Sequence, residues 1–380
     1  MRDKLAKPRP TNAKRSSRPA STASSFNPGR LKEDVDTYVD AIYAVLALIN
    51  HARWDDATKS LRLDVQFGVG RRFSGSGDGN ETLTPDAAVQ LSGALGVIAE
   101  AKPGVARSKT IWNHNIDQLK KYDDTLVGWW TSDEQIARHD VIALLPLPRV
   151  ADFIDLVEER IKAGTLSFSR PVTVVGFVKN TGAEKTWVIL QSQSTTLGTV
   201  SDTTLKERLR KAVPIDWQLL LTHYKDIRFI DAEPPLPYTL YVLWDLVLTR
   251  KASGRQSETG ENWVAIDVDV KTLTEEVQDY FGFRSDGARA VQIPRQKWIR
   301  RALDSLVVFG MASRIDAHSF RIKYRRQRTR DRDTVTYFGR LAFKFQERLA
   351  LAAAPKPLLD IAAEHAPDGE SDSPARNAAS

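Results

Sequence analysis

The sequence predicts an α/β core on a mixed sheet flanked by helices, followed by a smaller, basic α+β unit. Three observations carry this prediction. Apolar residues recur at helical spacing between Leu31 and Trp54. Period-two or continuous apolar runs then alternate with helical stretches as far as Gln191. A rigid, Pro-rich joint, Ala232-Glu233-Pro234-Pro235-Leu236-Pro237, divides that pattern from an arginine-rich end.

In chain order, residues 1–30 hold eight Lys or Arg against one Asp and few large apolar side chains. Such a segment buries too little surface to offset its ordering entropy, so a disordered basic tail is expected. Residues 31–232 read as the first domain. Val35, Tyr38, Ile42, Val45 and Leu46 fall near one face of its opening helix. Leu61–Phe67 alternates apolar and polar residues and reads as a strand. Residues 68–80 are Gly/Ser-rich and read as a loop. Gly75, Gly77 and Gly79 do not make a phosphate cradle, because no Lys-Ser/Thr follows and no helix begins there. A strand is expected over Asp86–Leu91, a turn at Gly93, and a buried strand over Leu95–Ala101. Then come a helix (Lys109–Val127), a strand (Asp140–Leu145), a helix (Val150–Ala163) and two strands (Val172–Val178 and Trp187–Gln191).

Residues 238–348 read as a second domain. Its elements are a helix over Tyr238–Arg250, a polar loop over Ala252–Asn262, and helices near Leu273–Phe281 and Arg295–Phe309. A hairpin of Ala312–Asp316 with Ser319–Tyr324 completes it. Residues 355–380 read as a second disordered tail.

The composition narrows the chemistry. With no cysteine among 380 residues, disulfides, thiolate zinc sites and cysteine nucleophiles are excluded together. The six histidines show no metal-pair spacing. Any bound metal is therefore expected to be a hard ion on carboxylates, Mg2+ or Mn2+. No apolar run approaches the roughly 20 residues of a membrane span, so no membrane association and a cytoplasmic location are expected. The net charge of +7 is unevenly spread, with fifteen Lys or Arg against five Asp or Glu in residues 295–348. Two separate basic regions suit a polyanion such as DNA. The plainer alternative is a solubilising tail and a solvated helix face.

One stretch carries a chemical pattern. Pro85-Asp86 opens one expected strand, and Glu100-Ala101-Lys102 ends the next. Glu100 and Lys102 are two apart, so their side chains share a face of the strand. A hairpin brings Asp86 near them, and the Ala101 carbonyl offers one more oxygen. Phosphodiester hydrolysis uses such parts: carboxylates to hold a metal, and a cation to steady developing negative charge. A carboxylate at the end of an apolar run is costly without a partner. Read as structure alone, Asp86 begins a strand after a proline turn, and Glu100 with Lys102 forms a surface pair.

Taken together, Pro85-Asp86 and Glu100-Ala101-Lys102 resemble the two halves of the PD-(D/E)XK nuclease motif. Gln118-Leu119-Lys120-Lys121-Tyr122 resembles the Q-x-x-x-Y helix of the RecB-like branch, and the context is similar to the nuclease domains of type I restriction motor subunits. The resemblance covers about Leu31–Leu145. It implies a restriction-endonuclease-like core with Asp86, Glu100 and the Ala101 carbonyl as metal ligands. Lys102 would be catalytic and Gln118 would support the site. Glu33 and Asp64 are weaker acidic candidates; Tyr122 reads as packing and His114 as an ordinary histidine.

The second domain is similar in element order to a winged helix, in which one helix enters the DNA groove. Arg295, Lys297, Arg300 and Arg301 on the helix are the expected phosphate contacts. Arg321, Lys323, Arg325 and Arg326, on and after the hairpin, join them. The expected function is metal-dependent DNA cleavage, with a non-catalytic DNA-binding protein on a nuclease-like scaffold as the alternative. Endonuclease or exonuclease action, DNA or RNA, and a homodimer or protein partner stay open at this stage.

Overall fold

The structure, a computed structural model, describes residues 28–75, 82–91, 95–102, 109–130, 136, 138–193, 195–224, 227–246, 263–281 and 293–325. The chain begins with α1 (Pro28–Arg53), followed by the two-residue strands β1 (Trp54–Asp55) and β2 (Ser60–Leu61). Next come β3 (Gln66–Val69), β4 (Phe73–Gly75), β5 (Thr82–Leu83), β6 (Ala87–Leu91) and β7 (Leu95–Ala101). Then follow α2 (Lys109–Lys121), β8 (Leu126–Val127), β9 (Arg138–Pro146), α3 (Val150–Lys162), β10 (Val172–Thr181) and β11 (Thr186–Ser192). The first unit closes with α4 (Thr203–Arg210), β12 (Ile215–Asp216) and α5 (Trp217–His223). The C-terminal unit is α6 (Leu236–Leu246), β13 (Trp263–Asp269), α7 (Val270–Phe281), α8 (Gln296–Val308), β14 (Ala312–Arg314) and β15 (Ser319–Arg325).

The α/β class is as expected. Seven strands form one mixed sheet in the order β12-β11-β10-β9-β7-β6-β3. Strands β7, β9 and β10 run parallel, and the outer pairings are antiparallel. Side-chain alternation divides the core between two faces. Val97, Ala99, Ile142 and Leu144 point to the face covered by α1. Ile98, Val141, Ala143 and Leu145 point to the face covered by α2 and α3. Val35, Tyr38, Ile42, Val45 and Leu46 of α1 are all buried, as their spacing predicts.

Several expectations need correction. The strand read over Leu61–Phe67 is broken: β2 ends at Leu61, β3 begins at Gln66, and Leu63 is 85% exposed. Two of the three polar members of that alternating run, Arg62 and Asp64, pair with each other at 3.2 Å instead of lining a sheet. The helix read over Lys109–Val127 stops at Lys121, and Leu126–Val127 is strand β8. Gly75 lies in β4, while Gly77 and Gly79 fall outside the described residues. Strand β13 was not anticipated, although Val264, Ile266 and Val268 alternate cleanly. Both expected tails, apart from the start of α1, and the loop over Ala252–Asn262 lie outside the described residues.

The Pro-rich joint leads directly into the core. Leu236, Leu240 and Leu243 of α6 belong to the same apolar cluster as α1, and the Tyr38 and Tyr238 rings lie 5.1 Å apart. The C-terminal sheet has the order β13-β15-β14. Its Ile266, Phe320 and Ile322 continue the same cluster. No helix among the described residues is long and apolar enough to cross a membrane.

Candidate functional site

Strand parity fixes the first half of the site. Ile98 faces α2, so Glu100 and Lys102, two and four residues further on, follow it to that face. Helix α2 is held there by Trp112, Ile116 and Leu119, which recur at helical spacing and pack against Ile98 in one cluster. Gln118 and Tyr122 therefore arrive beside Glu100. The His139 ring on β9 meets the Tyr122 carbonyl at 2.7 Å and anchors the end of the helix. That contact makes Nε2 the protonated nitrogen, and burial holds the imidazole's pKa down at about 4.

The polar groups close into one network. The Lys102 ammonium donates to Glu100 Oε2 at 3.2 Å and to Gln118 Oε1 at 2.5 Å. Gln118 Nε2 donates to Glu100 Oε1 at 3.1 Å. The Tyr122 hydroxyl also donates to Glu100 Oε1. Burial and then the Glu100 charge raise the Tyr122 pKa, so the phenol keeps its proton. Tyr122 thus has a polar role in the site as well as a packing one.

Asp86 is held by backbone amides. Its Oδ2 accepts from Ala101 N at 2.7 Å, and its Oδ1 from Asp231 N at 2.6 Å. Burial, then the nearby Glu100 charge, push its pKa well up, against the pull of Lys102 and the Ala101 amide. The three central residues are enclosed: Asp86 and Glu100 are each 1% exposed and Lys102 is 8% exposed.

Asp231 is the residue that sequence reasoning missed. Its carboxylate takes a fork from Arg295, with Nη2 at 2.5 and 2.7 Å from its two oxygens. Burial raises the Asp231 pKa to about 6; Arg295 opposes that rise and the Glu100 charge adds to it. Its only signal in the sequence was an acidic residue at the mouth of the Pro-rich joint. Glu33 is exposed on α1 and has no bond to this group, Asp64 is spent on Arg62, and His114 is exposed.

Among the described residues, no three His, Asp or Glu side chains converge as a ready metal cage. The donor chemistry still suits a hard ion. Each carboxylate offers about four lone-pair positions. Asp86 uses two of these and Glu100 three, so both retain acceptor capacity. Mg2+ is commonly held by one or two carboxylates, with waters and phosphate oxygens completing its shell. The Ala101 amide points toward Asp86, so in an extended strand its carbonyl lies along the same edge.

The basic residues of the C-terminal unit are largely engaged within the chain. Arg295 pairs with Asp231 and Arg301 with Glu233, both acids of the joint. Arg300 bonds Ala317 O and His318, and Arg321 forks onto Asp267. Lys297 and Lys323 are exposed. The Arg325 side chain and Arg326 lie outside the described residues.

No protein-family profile, curated protein or solved structure matches the chain.

Proposed function

We propose that the protein is a divalent-metal-dependent phosphodiester hydrolase acting on DNA, with its site at Asp86, Glu100 and Lys102. The observation that carries this reading is the network of Glu100, Lys102, Gln118 and Tyr122, to which Asp86 is joined through the Ala101 amide. That convergence supports a PD-(D/E)XK-like, restriction-endonuclease-like core. The order helix, strand, helix, helix, strand, strand in residues 236–325 supports a winged-helix-like second unit.

In this reading Asp86, Glu100 and the Ala101 carbonyl hold Mg2+ or Mn2+. When bound, the ion would activate water and polarise the phosphate. It would also relieve the charge strain between two buried, adjacent carboxylates. Lys102 has three donors and spends two on Glu100 and Gln118, leaving one for the oxygen on which negative charge develops. Gln118 ties Glu100 to Lys102, and Tyr122 fixes the Glu100 rotamer. The exposed Lys297 and Lys323 offer sequence-independent phosphate contacts.

The enclosure of Asp86 and Glu100 favours a second reading, a DNA-binding protein whose nuclease-like site is a structural network. Cleavage of plasmid and linear DNA with Mg2+ separates the two. The hydrolase reading expects cleavage by the wild type, suppressed by EDTA and lost in Asp86→Ala and Glu100→Ala. DNA binding without cleavage by any form supports the scaffold.

A further inference from the structure

A cleft of about 510 Å³ opens between the two units, directly beside the enclosed site. One wall carries Arg72, Thr82 and Thr84, of which Thr84 lies two positions before Asp86. The opposite wall carries Lys271 and Thr274 of α7 and Arg295. Asp231 lines it as well, with its backbone on Asp86 and its carboxylate on Arg295. Glu275, 4.0 Å from Lys271, also lines the cleft, so three cations face two acids there. No aromatic ring is present, which suits phosphate and sugar groups better than stacked bases.

We infer that this cleft binds the phosphate backbone of a polynucleotide strand, and that the phosphate takes Arg295 from Asp231, releasing Asp231 to become the third carboxylate of the Asp86–Glu100 site. This rests on the metal-dependent reading of that site. Three features carry it. Arg295 is 44% exposed at its side chain and Asp231 only 11%, so a ligand in the cleft reaches the guanidinium first. The guanidinium fork that grips Asp231 has the geometry that grips a phosphate equally well. The Asp231 amide already donates to Asp86 Oδ1 at 2.6 Å, which places the residue against the Asp86–Glu100 site.

The Arg295–Asp231 pair thus acts as a latch. With the cleft empty, Arg295 neutralises Asp231, and only Asp86 and Glu100 would be left to hold the ion. With phosphate bound, the acid freed from Arg295 adds a third hard oxygen donor. Metal and polynucleotide must then strengthen each other's binding reciprocally. Asp231 is a positioning residue in the empty state and a ligand in the filled one.

The test is Mn2+ binding by the full chain, measured calorimetrically without and with a short single-stranded DNA oligonucleotide. The oligonucleotide is expected to tighten Mn2+ binding by about fivefold or more. Arg295→Gln should show a comparable gain with no oligonucleotide present. Asp231→Asn/Arg295→Gln should lose that gain, and Arg295→Lys should stay closer to wild type. The inference is overturned if Arg295→Gln and the oligonucleotide leave Mn2+ affinity unchanged while Asp86→Ala abolishes it; the metal site would then stand without the latch. Mn2+ binding that ignores Asp86→Ala, or is absent from the wild type, removes the metal-site reading and the latch with it. An equal gain from inorganic phosphate would overturn the polynucleotide assignment.

Discussion

The backbone N–H of Asp231 donates to Oδ1 of Asp86 at 2.6 Å, joining residues 145 positions apart. Asp86 stands at the entry to β6, in the middle of the first unit. Asp231 opens the joint to the second. The candidate site is therefore finished by the seam between the units, and the seam's packing should control it.

Gly70 tests that seam. It has φ +66°, and a Cβ there would come within 2.2 Å of Ile293 Cδ1, a cleft residue. Gly70→Ala should cost about 2–4 kcal/mol from backbone strain plus overpacking. Gly164→Ala is the control: φ is +68° but nothing lies within 4 Å of the new Cβ. It should lose only the backbone part, about 1–2 kcal/mol. Urea midpoints read both, and equal losses would show that Ile293 yields freely.

Tyr122→Phe removes one donor from Glu100 and leaves those of Gln118 and Lys102. Stability should fall by only about 1 kcal/mol. Mg2+-dependent cleavage should fall by about 10- to 100-fold, as for other groups that orient a metal ligand. A variant that cleaves at the wild-type rate would return Tyr122 to packing alone.

These residues were legible in the sequence to different degrees. Glu100 and Lys102 were found because strand parity is local: two residues apart on an apolar run means one face. Gln118 and Tyr122 were singled out by their likeness to a Q-x-x-x-Y helix, and their i, i+4 spacing puts them on one face; the polar role of Tyr122 was not anticipated. Asp231 was not found, because no local period links a Pro-rich joint to a strand so distant in sequence. Alternation misled at Leu61–Phe67, where Arg62 and Asp64 satisfy each other in solvent. It was overlooked at β13, where Asp267 and Asp269 interleave the apolar residues. The arginines of the C-terminal unit were countable, but their partners Asp231, Glu233 and Asp267 are set by tertiary structure.

His51 provides a pH signature. It is fully buried, its Nδ1 accepts from Arg208 Nε at 3.2 Å, and burial with the Arg208 charge lowers its pKa from 6.5 to about 3. The unfolded chain therefore binds the proton more readily than the folded one. The resulting stabilisation is complete above pH 6.5 and is lost as pH falls toward 3. His51→Asn keeps an acceptor for Arg208 without the titration. Relative to that variant, the wild type should lose about 2 kcal/mol between pH 6.5 and about pH 4.5. Chemical denaturation across that range reads the difference, and parallel curves for the two proteins would refute it.

Lys102 offers the most direct trial of the hydrolase account. In that account its ammonium, bonded to Glu100 and Gln118, keeps one donor for the reacting phosphate. The measurement is the single-turnover rate of Mg2+-dependent cleavage of labelled DNA by the wild type and by Lys102→Met, with DNA binding recorded alongside. The account predicts a loss of about 10²- to 10³-fold in rate with binding nearly unchanged. Equal rates for the two proteins would contradict it.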